Sequence, residues 1–152
     1  MLETLLGPLG AIFGKAAGRL AGQPHFKLLP SITSPEYGSR PGGYLALGLK
    51  IANVGKETGY FDRVEGILRD GSSRLLLVLE LPYETPVHSN RSVVGFLPAK
   101  QLLEAEIVDL IVFDAVERSY RLGRGRFRTT REMLTKERTR LVAGGYSVDW
   151  QP

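Results

Sequence analysis

The stretch GYLALGLKIANVG, residues 43–55, decides the fold. Leu45, Leu47, Leu49 and Ile51 occupy every second position, which puts four large apolar side chains on one face of a pleated strand. Residues Asn53 to Gly59 are rich in turn formers and end that strand. Outward from it, Tyr60 to Leu68 predicts a second strand, and RDGSS, 69–73, a hairpin turn centred on Asp70-Gly71. RLLLVLEL, 74–81, predicts a strand buried on both faces. Pro82, Pro86 and the HSNR stretch, 88–91, predict a longer loop before a strand at SVVGFL, 92–97. Pro98 to Glu106 suits a short helical turn, IVDLIVF, 107–113, a strand, DAVER, 114–118, a turn, and SYRL a last strand.

About seven short strands separated by turn signals, with no long helix between them, predict a mainly β fold: an immunoglobulin-like antiparallel sandwich. The chain has no cysteine, which excludes the disulfide-bearing antibody type, thiol chemistry and cysteine-ligated zinc. Residues 129–143 predict a C-terminal helix, with Thr129 or Thr130 as N-cap, Glu132 in the first turn and Gly144-Gly145 as the stop. Its few apolar positions, Met133, Leu134, Leu141 and Val142, predict that it lies on the surface.

The N-terminus reads differently. GAIFGKAAGRLAG, 10–22, repeats glycine every fourth residue inside an apolar run, although each glycine costs a helix interior about 1 kcal/mol relative to alanine. On a helical wheel Leu2, Leu5, Leu9, Ile12, Phe13, Ala16 and Leu20 share one face. Gly7, Gly10, Gly14, Gly18 and Gly22 lie opposite, with Lys15 and Arg19 at the border. Glu3 and the two cations argue against a cleavable signal peptide, and Pro8 with the glycines against an ordinary spanning helix. Contact through Leu5, Leu9, Gly10, Ile12, Phe13, Gly14, Gly18 and Leu20 is therefore expected, with a protein groove, with a second copy through small-xxx-small packing, or with a bilayer, the remaining reading being a segment that orders only on meeting its partner. Gln23-Pro24 breaks the pattern.

Charge is unevenly spread. The whole chain carries a net +4, and residues 118–140 hold nine Lys/Arg against two Asp/Glu. Within that stretch Arg124, Arg126 and Arg128 alternate, so an extended chain would point all three to one side, as a row suited to phosphates or anionic lipid headgroups, while Phe127 faced the other. The competing reading is an edge strand kept from aggregation by charge. Catalytic patterns are absent: Gly48 and Gly55-Lys56 are too far apart for a phosphate loop, and Glu57 stands where a hydroxyl is needed. His25 and His88 are distant in sequence, and Ser89 beside His88 has no third partner. Glu104, Glu106, Asp109 and Asp114 read as a solvated acidic surface rather than a cation site.

Two segments carry a resemblance. LGLKIANVGKETGYFDRVEGIL resembles the strand, Asn-x-Gly turn, strand opening of small bacterial immunoglobulin-like proteins, and IVDLIVFDAVERSYRL is similar to their closing hairpin, with Glu117 where such turns often carry glycine. The similarity spans about residues 25–121. It implies a sandwich, a preceding apolar helix and no catalysis, and assigns no functional residue.

The expected organisation is an amphipathic Gly-rich appendage over 1–23, a sandwich over 24–128, and a C-terminal helix and tail over 129–152. The expected function is a non-enzymatic binding or structural module. Its N-terminal helix would dock to a protein partner, to its own copies, to an anionic membrane surface or to a larger assembly such as an envelope complex or virus particle. Location follows: the cytoplasmic side, a membrane periphery or a virion, with no cofactor and no metal. A nucleic-acid binder using residues 118–140 ranks second, and an unrecognised hydrolase third.

Overall fold

The computed structural model describes residues 23–34, 43–104 and 106–152. The predicted N-terminal helix and its contact positions, Leu5, Leu9, Gly10, Ile12, Phe13, Gly14, Gly18 and Leu20, lie outside the described residues. In chain order the elements are β1 (Phe26–Thr33), β2 (Ala46–Asn53), β3 (Gly59–Leu68), β4 (Ser73–Leu75), β5 (Pro86–Val87), β6 (Ser92–Pro98), α1 (Ala99–Glu104), β7 (Ile107–Asp114), β8 (Ser119–Arg121) and α2 (Arg124–Ala143). One antiparallel sheet has the order β1-β2-β6, the other β4-β3-β7-β8, with β5 pairing β3. Strand makes up 41% of the structure and helix 21%, strand being about twice the usual share.

The alternation in β2 works as its spacing predicts. Leu45 enters the strand, and Leu47, Leu49 and Ile51 within it are fully buried. They meet Val64 of β3 and Leu110 and Val112 of β7 in one apolar cluster that both sheets share. At the end of β2, Asn53 turns the chain with every polar atom of its side chain in use. Its Oδ1 accepts from the backbone N–H of Gly55 at 2.9 Å and of His25 at 3.1 Å, and its Nδ2 donates to the carbonyls of Glu57 and Val87, both at 2.8 Å. One buried amide thus ties the entry to β1, the β2–β3 turn and β5 together. Gly55 is required beside it, because a Cβ there would lie 1.9 Å from the Gln23 carbonyl oxygen.

Three expectations are corrected. The run at 74–81 is not a strand buried on both faces: β4 stops at Leu75, and Leu75 and Leu77 are 67% and 43% exposed. Beyond Leu76, whose N–H still donates to the Val64 carbonyl of β3 at 3.0 Å, the chain crosses to the other sheet. Gln101 clamps the backbone of Leu77 by donating to its carbonyl and accepting from its N–H, and Leu79 exchanges backbone hydrogen bonds with Phe96 of β6. An apolar run that changes sheets buries only the members facing the core at each step, here Leu76 and Leu81.

The second correction concerns α2, which begins at Arg124 rather than 129, with Gly123 and not Thr129 or Thr130 at the N-cap. Gly123 has φ 105°, a value glycine adopts without strain, and its N–H donates to the buried Asp109 carboxylate at 2.9 Å. The earlier start adds Phe127 to the helix, so that Phe127, Leu134 and Leu141 recur every seven residues on one face. All three are at most 1% exposed, while Met133 and Val142 point outward. The helix packs on β1 of one sheet and β7 of the other and closes the shared core; it is not a surface helix.

The third correction is electrostatic. Asp109 and Asp114 are 1% exposed rather than solvated. Asp109 accepts from its neighbour Leu110 N–H and from Gly123, with Arg121 at 3.8 Å. Asp114 folds the β7–β8 turn, accepting from the backbone of Val116 and Arg118, from the Arg118 guanidinium at 3.0 Å and from the Tyr120 hydroxyl at 3.2 Å. Burial, and then the Asp114 carboxylate, pushes the Tyr120 phenol up to about 12. Glu117 occupies the left-handed position of this turn at φ 66°.

Fully burying a Phe or Leu side chain contributes about 1.5–3 kcal/mol, so the α2 stripe supplies about 5–9 kcal/mol, comparable with the whole stability of an ordinary domain. Leu134→Ala should therefore cost about 2–5 kcal/mol by urea denaturation. Asn53→Ala, which orphans two buried-side carbonyls and two N–H groups, should cost about 3 kcal/mol or more. A loss under about 1 kcal/mol in either variant would contradict these roles.

Candidate functional site

The helical start at Arg124 rearranges the arginine row. At 100° per residue Arg124, Arg128, Arg131, Thr135 and Arg138 fall on one face of α2, beside the buried stripe, while Arg126 turns to the opposite border. The expected common direction of Arg124, Arg126 and Arg128 is thus corrected: two remain together and the third leaves. The Arg126 guanidinium donates to the Leu28 carbonyl of β1 at 2.9 Å. β1 is the outer strand of its sheet, so this bond covers part of an open edge.

The other arginines of the basic stretch divide the same way. Arg118 pairs with Asp114 at 3.0 Å, Arg138 with Asp149 at 3.3 Å and Arg140 with Glu137 at 2.7 Å. The Arg140 guanidinium holds the Glu137 carboxyl below its ordinary range. Arg131 donates to the Leu103 carbonyl at the end of α1, at 3.1 Å. Arg124 and Arg128 are exposed, and no ion pair or side-chain hydrogen bond engages either among the described residues.

These two arginines border a shallow cavity of about 270 Å³ between the start of α2, the start of β7 and the β3–β4 turn. Arg69 and Arg131 complete its rim, and Ile107, Val108 and Phe127 line its base. Arg69 comes from the hairpin predicted at RDGSS, where Asp70 accepts from both the N–H and the hydroxyl of Ser72 and Gly71 takes φ 91°. The Arg69 N–H donates to the Glu106 carbonyl at 3.1 Å, and its guanidinium stands 3.6 Å from the Glu106 carboxylate. Both side chains of that pair are more than 70% exposed, so water screens it and it adds little. A larger groove of about 750 Å³ continues along the same helix face between α1 and α2, and shares Arg131. Two of its three cations have carboxylate partners: Lys100 stands 3.9 Å from Glu104, and Arg138 meets Asp149.

The opposite treatment of charge is seen on the outer face of the second sheet. Arg63 is enclosed by Asp62, by Glu65 at 2.7 Å and by Glu117 at 3.1 Å, and lies 4.1 Å over the Phe113 ring. The hydrogen bond it donates to Glu117, then that to Glu65, raises its pKa, and in turn Arg63 holds Glu65 below the usual carboxylate range. Such a cluster is satisfied internally and leaves nothing for a ligand.

Other residues singled out from sequence serve the fold. The Ser89 hydroxyl donates to the Gly55 carbonyl at 2.7 Å, His88 Nδ1 lies 3.2 Å from the Thr58 hydroxyl, and the His25 ring stands edge-on to Tyr120 at 5.8 Å. Among the described residues no group of three or more His, Asp or Glu side chains is arranged to hold a metal ion. No helix of the described residues is long and apolar enough to cross a membrane. Comparison with family models, with curated proteins and with solved structures finds no match for this chain.

Sequence reasoning missed Arg69 and Arg131. The signal was present as arginine at i, i+4, i+7 and i+14 from 124, in step with Phe127, Leu134 and Leu141. The glycines of LGRGR favoured an extended reading and hid it. Arg126→Ala should lower stability by about 1–2 kcal/mol, because a charge-assisted bond to the β1 edge is lost. Arg128→Ala should change it by less than about 0.5 kcal/mol. Equal effects in thermal denaturation would contradict the division between structural and presented arginines.

Proposed function

We propose that this chain is a non-enzymatic, immunoglobulin-like module that docks on an anionic membrane surface, with the basic face of α2 as its electrostatic contact and the apolar N-terminal segment as its anchor. The strand orders support the immunoglobulin-like assignment. In chain-order letters β1-β2-β6 corresponds to A-B-E, and β4-β3-β7-β8 to C′-C-F-G, as in that sandwich, while the two-residue β5, in the D position, departs from it by pairing β3 instead of β6. The observation that carries the docking role is the sorting of arginines on α2: Arg126, Arg131, Arg138 and Arg140 have partners within the fold, whereas Arg124 and Arg128 are presented outward.

A membrane suits this arrangement better than single-stranded nucleic acid. Strand binders stack bases on exposed aromatic rings. The two rings near the arginines are committed elsewhere: Phe127 is in the core, and Tyr120 packs 4.8 Å from Phe26 with its hydroxyl on Asp114. A basic face together with an apolar segment in the same chain is the two-signal combination that stable peripheral attachment requires.

The full chain should co-sediment with phosphatidylglycerol-containing vesicles and less with neutral phosphatidylcholine vesicles, with binding that falls as salt rises. Arg124→Ser/Arg128→Ser should weaken anionic binding about 30-fold, at about 1 kcal/mol per arginine. Leu9→Asp/Phe13→Asp should reduce binding to both vesicle types. Retention of vesicle binding in both double variants would overturn the proposal, as would tight, salt-sensitive nucleic-acid binding with no vesicle binding.

A further inference from the structure

We propose that the cavity ringed by Arg69, Arg124, Arg128 and Arg131 is a specific site for a phosphate monoester, borne either by a lipid headgroup or by a soluble metabolite. The proposal rests on the anionic-docking reading in that it makes one point on the basic face selective. It does not require the membrane as the source of the phosphate.

Four arginines line a cavity of about 270 Å³ against the start of β7, Arg69 from the β3–β4 turn and Arg124, Arg128 and Arg131 from α2. No carboxylate of the described residues lines the cavity itself; Glu106 stands beside Arg69, and Asp70 and Glu132 line adjoining depressions that share Arg69 and Arg128 with it. The local excess of positive charge therefore calls for a ligand with more than one negative charge. A phosphate monoester carries about −1.5 to −2 at neutral pH and offers three terminal oxygens, whereas a diester, as in phosphatidylglycerol, carries one charge on two. Arginine forks match phosphate oxygens two at a time, which lysine does not do.

The walls are prepared for such a group. Arg131 is held by its bond to the Leu103 carbonyl, and Arg69 is positioned by its own backbone bond to Glu106. The floor of Ile107, Val108 and buried Phe127 is apolar, so it accepts the first carbons of an ester and lowers the local dielectric under the charges. The 3.6 Å, solvent-screened contact of Arg69 with Glu106 is weak enough to be exchanged for a phosphate oxygen. Glu106 then acts as a competitor, so its neutralisation should tighten binding. In the neighbouring groove along α1, Lys100 faces Glu104 and Arg138 faces Asp149, so the excess there comes from Arg131, which both share, and the site is local rather than a continuous track.

Calorimetric titration of the full chain with inorganic phosphate and with glycerol 3-phosphate tests the site. Vesicles of phosphatidic acid and of phosphatidylglycerol at equal surface charge test its source. Saturable one-to-one binding is expected, weakened about tenfold by Arg128→Ser or Arg124→Ser, strengthened by Glu106→Gln, and unchanged by Lys50→Ser on the far sheet. An unchanged thermal midpoint in the arginine variants would show that the loss is not unfolding. Preference for phosphatidic acid over phosphatidylglycerol that disappears in Arg124→Ser/Arg128→Ser identifies a lipid source. Phosphate binding with no such vesicle preference identifies a soluble one. Vesicle binding without saturable phosphate binding would overturn the site and leave the docking reading standing. Phosphate binding without attachment to any vesicle would keep the site and overturn the docking reading.

Discussion

The structure depends on one buried stripe. Phe127, Leu134 and Leu141 fill the side of the sandwich where β1 of one sheet and β7 of the other approach α2. Two sheets with open edges bury a core only as far as something covers those edges, and here a twenty-residue helix provides the cover. Because the stripe repeats every seven residues, it also dictates which side chains border the core and which face water. Arg124, Arg128 and Arg131 come together at one margin, and Arg126 reaches the β1 edge at the other. The element that completes the fold is the same one that arranges the charges.

At the opposite end of β2, Asn53 performs a complementary task. Its four hydrogen bonds fix how β1, the β2–β3 turn and β5 meet, with Gly55 leaving room for the Gln23 carbonyl. Asp114 and Asp109 do the same for the β7–β8 turn and the entry to α2. Each of these polar groups is buried and each is answered, so they specify connections that apolar packing alone would leave loose. They explain why acidic residues that look solvated in the sequence stand in the interior.

Legibility followed the range of the forces involved. Alternation in Leu45 to Ile51 and the Asp70-Gly71 turn are local signals, and the strands and hairpin appear where they predict. The segment 74–81 was unreadable because its hydrophobicity is continuous while its burial is decided by a crossing between sheets, permitted by Gly95, whose Cβ would stand 2.6 Å from Val78. The start of α2 was hidden by glycines at 123 and 125, poor helix residues that tertiary packing of Phe127 overrides. For the candidate site, Arg124 and Arg128 were visible as charge. Arg69 was not, because only the fold brings a turn near residue 70 to the first turn of a helix some fifty residues later.

Native-state hydrogen exchange on the full chain measures directly whether α2 belongs to the core. Amides of Thr130 to Leu141 should exchange with the same opening free energy as those of Leu47 to Ile51 and Leu110 to Val112, and should shift with them in parallel as urea is raised. Exchange in α2 about a hundredfold faster than in those strands, a gap of about 2.7 kcal/mol, with the strands still protected, would contradict it. The helix would then be an appendage, and the arginine cavity at its first turns would lose the packing that holds it in place.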